Sequence, residues 1–460
     1  MSDRIKNMTE GKPASLLIFF ALPLMAGNVF QQLYTVVDTM VVGKALGVDA
    51  LAALGAADWL NWMMLGLIQG LTQGFAILMA QEFGAKRYES LKDVIGTSTI
   101  LSALSAAVFL LAGQFLARPV LQLLQTPVEI LDNALLYLRY MFFGVPIVMA
   151  YNLFACILRA LGDGKTPLHA MVVACFTNVA LDLLFVLVFH WGIAGAAIAT
   201  LIAQLVSSLF CLWHIRKITV LTLRKQHFQL RLPMIKKLFI LGSPMAFQNA
   251  IIAVGGMVVQ FVVNGFGVIF IAGFTATNKL YGVLEIAATS YGYAMITYVG
   301  QNLGAGLTER IRHGMRAAVA IAIITSLVIA GIMLLLGKYI LGWFISGTPQ
   351  QISQAMDVAY LYLSIMSAFL PVLYILHVTR SAIQGTGNTL LPMLSGIAEF
   401  VMRTVTAIFL PLAAGESGIF YAEILAWAGA DAILIPSYFL TMRKISHHAD
   451  KAAVLLDKTQ

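Results

Sequence analysis

Twelve apolar runs decide what this chain can fold into. They fall at about residues 16–43, 51–80, 93–117, 133–157, 167–189, 192–214, 236–264, 269–300, 315–336, 355–379, 389–412 and 417–441. Each is near or above the roughly 20 residues that a helix needs to cross the hydrocarbon core of a bilayer. Inside lipid the backbone must satisfy its own hydrogen bonds, so runs of this length predict helices. The fold class read from them is an all-α polytopic membrane protein. The first, second, seventh and eighth runs are longer than a crossing requires and are expected to tilt, kink or protrude. Composition agrees: 11% of the 460 residues are charged, where a soluble domain carries about 25%.

The basic residues test the span count. With the N-terminus inside, 23 of the 29 Lys and Arg fall in segments on the inner side, among them Arg4, Lys86, Arg159, Arg224, Arg310, Arg380 and Arg443. Only Lys44, Arg118 and Lys338 fall outside, and Arg139, Lys279 and Arg403 lie within spans. Positive charge accumulates on cytoplasmic loops, and a missed span would scramble the asymmetry. Twelve spans with both termini cytoplasmic satisfy it. The formal charge of +8 is therefore a topology signal, not a nucleic-acid footprint. The polar N-terminus precedes a run too long for a signal-peptide core, so the first span is expected to remain in the mature protein.

The longest polar stretch, His214 to Lys237, divides the spans into two sets of six. The expected organisation is an N-terminal lobe over 1–213, a basic cytoplasmic linker over 214–237, a C-terminal lobe over 238–445 and a cytoplasmic tail over 446–460. The halves look alike. Ala21-Leu22-Pro23 is answered by Gly242-Ser243-Pro244, Gln81 to Ala85 by Gln301 to Ala305, and Gly162 to Thr166 by Gly385 to Thr389, at offsets of 221, 220 and 223. Six spans per half make the repeat parallel, the arrangement of many secondary transporters.

Enzymatic signals are missing. There is no Gly-x-x-x-x-Gly-Lys-Ser/Thr loop, no Gly-x-Ser-x-Gly elbow and no metal-ligand spacing. The chain reads as a non-enzyme without a cofactor, and active transport by it must run on an ion gradient. Cys156, Cys175 and Cys211 stand alone in apolar runs and read as packing residues.

Polar residues inside the spans carry the functional reading, because an ionisable group in lipid is costly and is usually functional. The first span, Leu16 to Gly43, holds Asp38, with Tyr34 one turn earlier on the same face and Pro23 where a helix would be interrupted. The fifth span holds Asn178 and Asp182, four apart and on one face. Two acids at comparable depth, if close, cannot both stay charged cheaply; one takes a proton, or the pair takes a cation such as Na+ at Asp38, Asn178 and Asp182. Tyr137, Asn152 and Thr200 could supply surrounding polar atoms. In the second half, Glu399 and Arg403 stand i,i+4 and predict an internal ion pair that is structural or gating. Lys279 and Glu285 share the eighth span, and Glu423 and Asp431 the twelfth; Lys279 could pair with any of these acids. His377 reads as a packed imidazole, and Asp58 as an acid at a water-facing mouth.

Taken together, these residues resemble the multidrug and toxic compound extrusion (MATE) family. The resemblance is carried by Pro23, Gln31-Gln32, Val37-Asp38-Thr39, Gly43, Gln81 to Ala85, Gly162 to Pro167, Asn178 with Asp182, and the repeated Gln301 to Ala305 and Gly385 to Gly387. It implies two six-helix lobes that export cationic drugs in exchange for H+ or Na+. The branch similar to the DNA-damage-inducible (DinF) group has its cation site in the N-terminal lobe, at the positions of Asp38 and Asp182. Tyr34, Tyr137, Asn152, Asn178 and Thr200 match neighbours of that site, and Pro23 matches a proline proposed to bend the first helix. The acid that another branch carries on the tenth span is absent here.

The reading is a secondary active antiporter of the inner membrane, working by alternating access. Its expected partners are small organic cations and membrane lipid, with no nucleic acid, and it is expected to act as a monomer. A lipid-linked precursor flippase of the same superfamily is the alternative. A membrane-embedded enzyme is a more distant one, and it lacks a catalytic constellation.

Overall fold

The computed structural model describes residues 5–457, with the side chains of residues 48 and 448–457 outside the description. Fourteen α-helices follow one another: α1 (Pro13–Leu46), α2 (Val48–Gly84), α3 (Tyr88–Leu123), α4 (Val128–Phe143), α5 (Val145–Ala160), α6 (Lys165–Asp182), α7 (Gly192–Arg216), α8 (Leu232–Val263), α9 (Val268–Gly304), α10 (Thr308–Leu341), α11 (Pro349–Ala368), α12 (Leu370–Gly385), α13 (Leu390–Ala414) and α14 (Tyr421–Asp457). Among the described residues there is no β-strand. Nine helical segments are long and apolar enough to cross a membrane; α4 with α5 and α11 with α12 form two further bent spans. The one expected run left over, the eighth, is α9. It is 37 residues long but falls short of the same apolarity standard, because polar side chains such as Asn278, Lys279 and Glu285 interrupt it. Outward-facing apolar residues are numerous, with Leu335 84% and Phe115 77% exposed. Lipid, not water, suits such a surface.

The sequence repeat reappears as a repeat of elements. α2 and α9 start at Val48 and Val268, α3 and α10 at Tyr88 and Thr308. Gly47 and Gly267 precede α2 and α9 at φ 86° and φ 89°, a left-handed conformation that glycine adopts without steric penalty. The fourth and tenth spans break at matching places, by 48° after Phe143 and by 50° after Ala368. In each, a proline (Pro146 or Pro371) opens the following helix. It lacks the N–H that an unbroken ladder would use there. No such break occurs at Pro23: α1 runs as one 34-residue helix through it. The expectation of an interruption there is corrected, since a membrane helix tolerates the single freed carbonyl of an internal proline.

The third repeat pairing is also corrected. Gly162 and Gly387 share positive φ, 83° and 91°. Asp163 Oδ1 then accepts from the Lys165 and Thr166 N–H groups, and Asn388 Oδ1 accepts from the Leu391 N–H. The register joining α6 to α13 is therefore 225 residues, two more than the glycine spacing suggested, because the capping side chain, not the first glycine, fixes the helix start.

The chain forms two compact units. One comprises Leu22–Ala250 with the described residues up to Asn7; the other comprises Met8–Ala21 and the residues from Ile251 onward. In the first unit α2 packs on α3, α4 and α5, and α7 packs on α4, α5 and α6. Gly74 and Gly242 bring α2 and the start of α8 so close that a Cβ on Gly74 would lie 2.3 Å from Gly242 Cα. The basic linker folds onto this unit: Thr97 Oγ1 donates to the Gln229 carbonyl, and His227 lies 3.3 Å from Glu89. The three cysteines are free and buried. In the second unit α9 packs on α10, α11 and α12, and α14 on α12 and α13. Phe274, Tyr362 and Phe420 stack there, with ring centroids 4.8 Å apart in each successive pair. Its N-terminal segment is held by Arg310, which donates to the Gly11 carbonyl, and by Asn302, which donates to that of Met8.

Candidate cation-binding site

The first unit gathers Tyr34 and Asp38 from α1, Asn178 and Asp182 from α6, and Thr200 from α7. The sequence explains how. α7 packs along α6, and Gly195 near its start lets it approach the rest of that span closely, since a Cβ there would lie 3.2 Å from Phe185 Cβ. Asp182 closes α6, and the span continues as a π-helical stretch, Leu183–Val188. That stretch is followed by an aromatic stack in which Phe185 and Trp191 lie 4.7 Å apart. Such wide turns recur at functional sites because they re-aim the side chains beside them. Asp182 and Asn178 are fully buried, Asp38 is 7% exposed and Thr200 8%.

The hydrogen bonding is one-sided. Asn178 Nδ2 donates to Thr200 Oγ1 at 3.3 Å, and Gln204 Nε2 donates to Tyr34 Oη at 3.3 Å. Asp38 Oδ1, both carboxyl oxygens of Asp182, Asn178 Oδ1 and Gln204 Oε1 are buried with no partner. Every one of them is an acceptor. Asp182 lies within electrostatic range of Asp38, and Tyr137, itself buried, lies within range of both. Asp58 is exposed yet also within range of Asp38. Asn152 is buried but spends its amide on the Val148 carbonyl of its own helix. Gln204 is the residue that reading the chain missed. It sits one helical turn after Thr200 on the same face, the spacing that could have found it.

The second unit treats its buried charges differently. Glu399 accepts from Arg380 Nη2 at 2.6 Å and from Arg403 Nη2 at 3.0 Å. Arg403 also donates to Glu423 at 2.7 Å and to the Ile252 carbonyl at 3.3 Å. Gly255 makes room for it: a Cβ there would lie 3.1 Å from Arg403 Nη1. Arg380 is 8% exposed and sits inside α12, which runs on to Gly385. Its assignment to an inner loop is corrected. Glu285 pairs with His377 at 3.3 Å, not with Lys279, which is exposed and has no ion-pair partner among the described residues.

A repeat of long apolar helices with a buried, donor-poor acid cluster in one half is the construction of a membrane transporter. The MatE family description matches residues 23–184 and again residues 244–409, more than half of the chain, and the protein belongs to that family. It is a membrane transporter and not an enzyme. It is 29% identical, over 88% of its length and 90% of the other's, to the probable multidrug resistance protein YpnP of Bacillus subtilis. It is 25% identical, over 95% and 94%, to the probable multidrug resistance protein NorM of Thermotoga maritima. A solved outward-facing multidrug resistance MATE transporter superposes with a TM-score of 0.89 at 20% identity, covering 97% of this chain and 99% of the other; that likeness concerns the fold.

Proposed function

We propose that this protein is a secondary active efflux antiporter that exports organic cations in exchange for H+ or Na+, with the exchanged ion held at Asp38 and Asp182. The observation that carries the proposal is the group of buried oxygens without donors. An ionised carboxylate placed there has neither a counter-charge nor a hydrogen bond, so a cation of some kind must complete it. Two carboxylates with the amide oxygen of Asn178 offer the hard oxygen ligands that Na+ accepts, and either carboxyl can instead take up a proton. An organic cation is attracted by the same negative charge and competes with the small ion for it. Alternating access follows from competition: the ion enters from outside and displaces the substrate outward, and its release inside lets the next substrate bind. Tyr34 and Tyr137 are buried beside the acids, and Pro23 gives α1 a place to bend, because it lacks one rung of the helical ladder.

Relatives named as multidrug resistance proteins support drugs as the cargo. The asymmetry of Lys and Arg supports cytoplasmic termini and a place in the inner membrane. The test is dye export from cells or proteoliposomes carrying Asp38→Asn at the wild-type protein level. Export is expected to fall to the level of empty membranes. Full export by that variant would remove Asp38 from the mechanism. Running the assay with a proton gradient alone and then with a sodium gradient alone identifies the exchanged ion.

A further inference from the structure

We propose that the second unit has a proton-binding site of its own at Asp431, set against the guanidinium of Arg380. The buried charges of the second unit leave one acid unmatched. Arg380, Glu399, Arg403 and Glu423 form one connected chain of ion pairs, two guanidiniums with two carboxylates, and the chain is neutral. Glu285 has His377 for a neighbour. Asp431 is the acid left over. It lies on α14, 7% exposed, and its Oδ1 is buried with no hydrogen-bond partner.

The helices packed against α14 determine what faces it. α12 brings Arg380, and α13 brings Glu399, both within electrostatic range of Asp431. Arg403 of α13 is already shared between Glu399 and Glu423, and His377 of α12 is turned to Glu285. The short helix Glu416–Phe420 adds only Glu416, at the start of the span; α9 brings Tyr281, stacked on Trp427, and α10 brings Arg312, which donates to Ser446 far along α14. Arg403 Nε is also without an acceptor, but the guanidinium whose charge reaches Asp431 is that of Arg380, and it too has spare capacity. Its Nη2 serves Glu399, while its Nε–H is buried without an acceptor.

An ionised Asp431 adds one uncompensated negative charge to a neutral network inside a helical membrane protein, a costly state. Two states relieve it. In one the carboxyl carries a proton, and Arg380 remains with Glu399 alone. In the other the proton has returned to water, and the carboxylate accepts from Arg380 Nε, which then bridges Glu399 and Asp431. Proton exchange at Asp431 thus alters the grip of α12 on α14. The site is independent of the Asp38 and Asp182 reading, since none of its groups belongs to the first unit.

The test uses the full chain in lipid nanodiscs, in an Asp38→Asn/Asp182→Asn background that silences the first unit. Infrared difference spectra are recorded as the pH is stepped. A protonated-carboxyl band is expected to titrate in this background and to be lost when Asp431→Asn is added. The same band set after Asp431→Asn overturns the proposal, as does a band that responds to added sodium but not to pH. If Asp431→Asn fails to fold, Asp431→Glu gives the answer: a band moved in frequency and midpoint supports the site, and an unmoved band overturns it.

Discussion

Asn178 and Arg403 occupy corresponding positions of the two repeats in the 225-residue register, and they serve opposite electrostatic designs. In the first unit the small amide beside Asp182 leaves the acids without a cation. In the second unit a guanidinium fills the corresponding place and ties two glutamates together. The position of Asp182 becomes Ala407 there, so the acid moves away as the base arrives. One fold thus supports an acid cluster that must be completed from outside and an acid cluster that completes itself. The first suits reversible binding. The second suits a fixed helix-to-helix joint, with Asp431 as its one unmatched acid.

That contrast can be broken or sharpened by substitution. The largest effect is expected on transport: Asp182→Asn should reduce dye export to the level of empty proteoliposomes while the protein still purifies as a folded species, whereas Glu423→Gln should retain measurable export. Next comes stability. Arg403→Ala strands Glu423 and leaves Glu399 to Arg380 alone, and breaking a buried pair in this way costs about 3–5 kcal/mol. Thermal unfolding in detergent should show a clear drop in midpoint. Asp182→Asn should show the reverse, an unchanged or raised midpoint, because it removes a buried charge that has no partner. If both variants lose stability alike, the two clusters are not different in kind. The smallest effect concerns Gln204. Gln204→Leu removes one hydrogen bond to Tyr34, worth about 0.6 kcal/mol in a membrane protein. It should shift substrate affinity no more than a few-fold in a dye-binding titration.

Much of this architecture can be read along the chain, because lipid leaves the backbone so few choices. Run length and the distribution of Lys and Arg point to the spans, and isolated acids such as Asp38 and Asp182 stand out in apolar surroundings. What stays hidden is tertiary. Arg380 looks like a loop cation, since it follows an apolar run; only the packing of α12 on α13 places it against Glu399. The bend after Phe143 is one residue wide and resembles any Gly-x-Pro. The register of the third repeat depends on Asp163 and Asn388 as caps, which glycine spacing alone misjudges. Gln204 is one of many polar residues in α7, and its bond to Tyr34 spans 170 positions of sequence. Helix α9 carries enough polar residues to weaken its hydropathy signal, though its length and its place in the repeat still identify it.

Competition between a small cation and an organic cation for Asp38 and Asp182 underlies the proposed exchange. The direct measurement is equilibrium binding of a fluorescent organic cation to the purified protein as proton or sodium concentration is raised. In the wild type the small ion is expected to displace the dye in a saturable way. In Asp38→Asn/Asp182→Asn residual dye binding is expected, and neither ion should change it. Undiminished displacement by either ion in the double variant would contradict that competition.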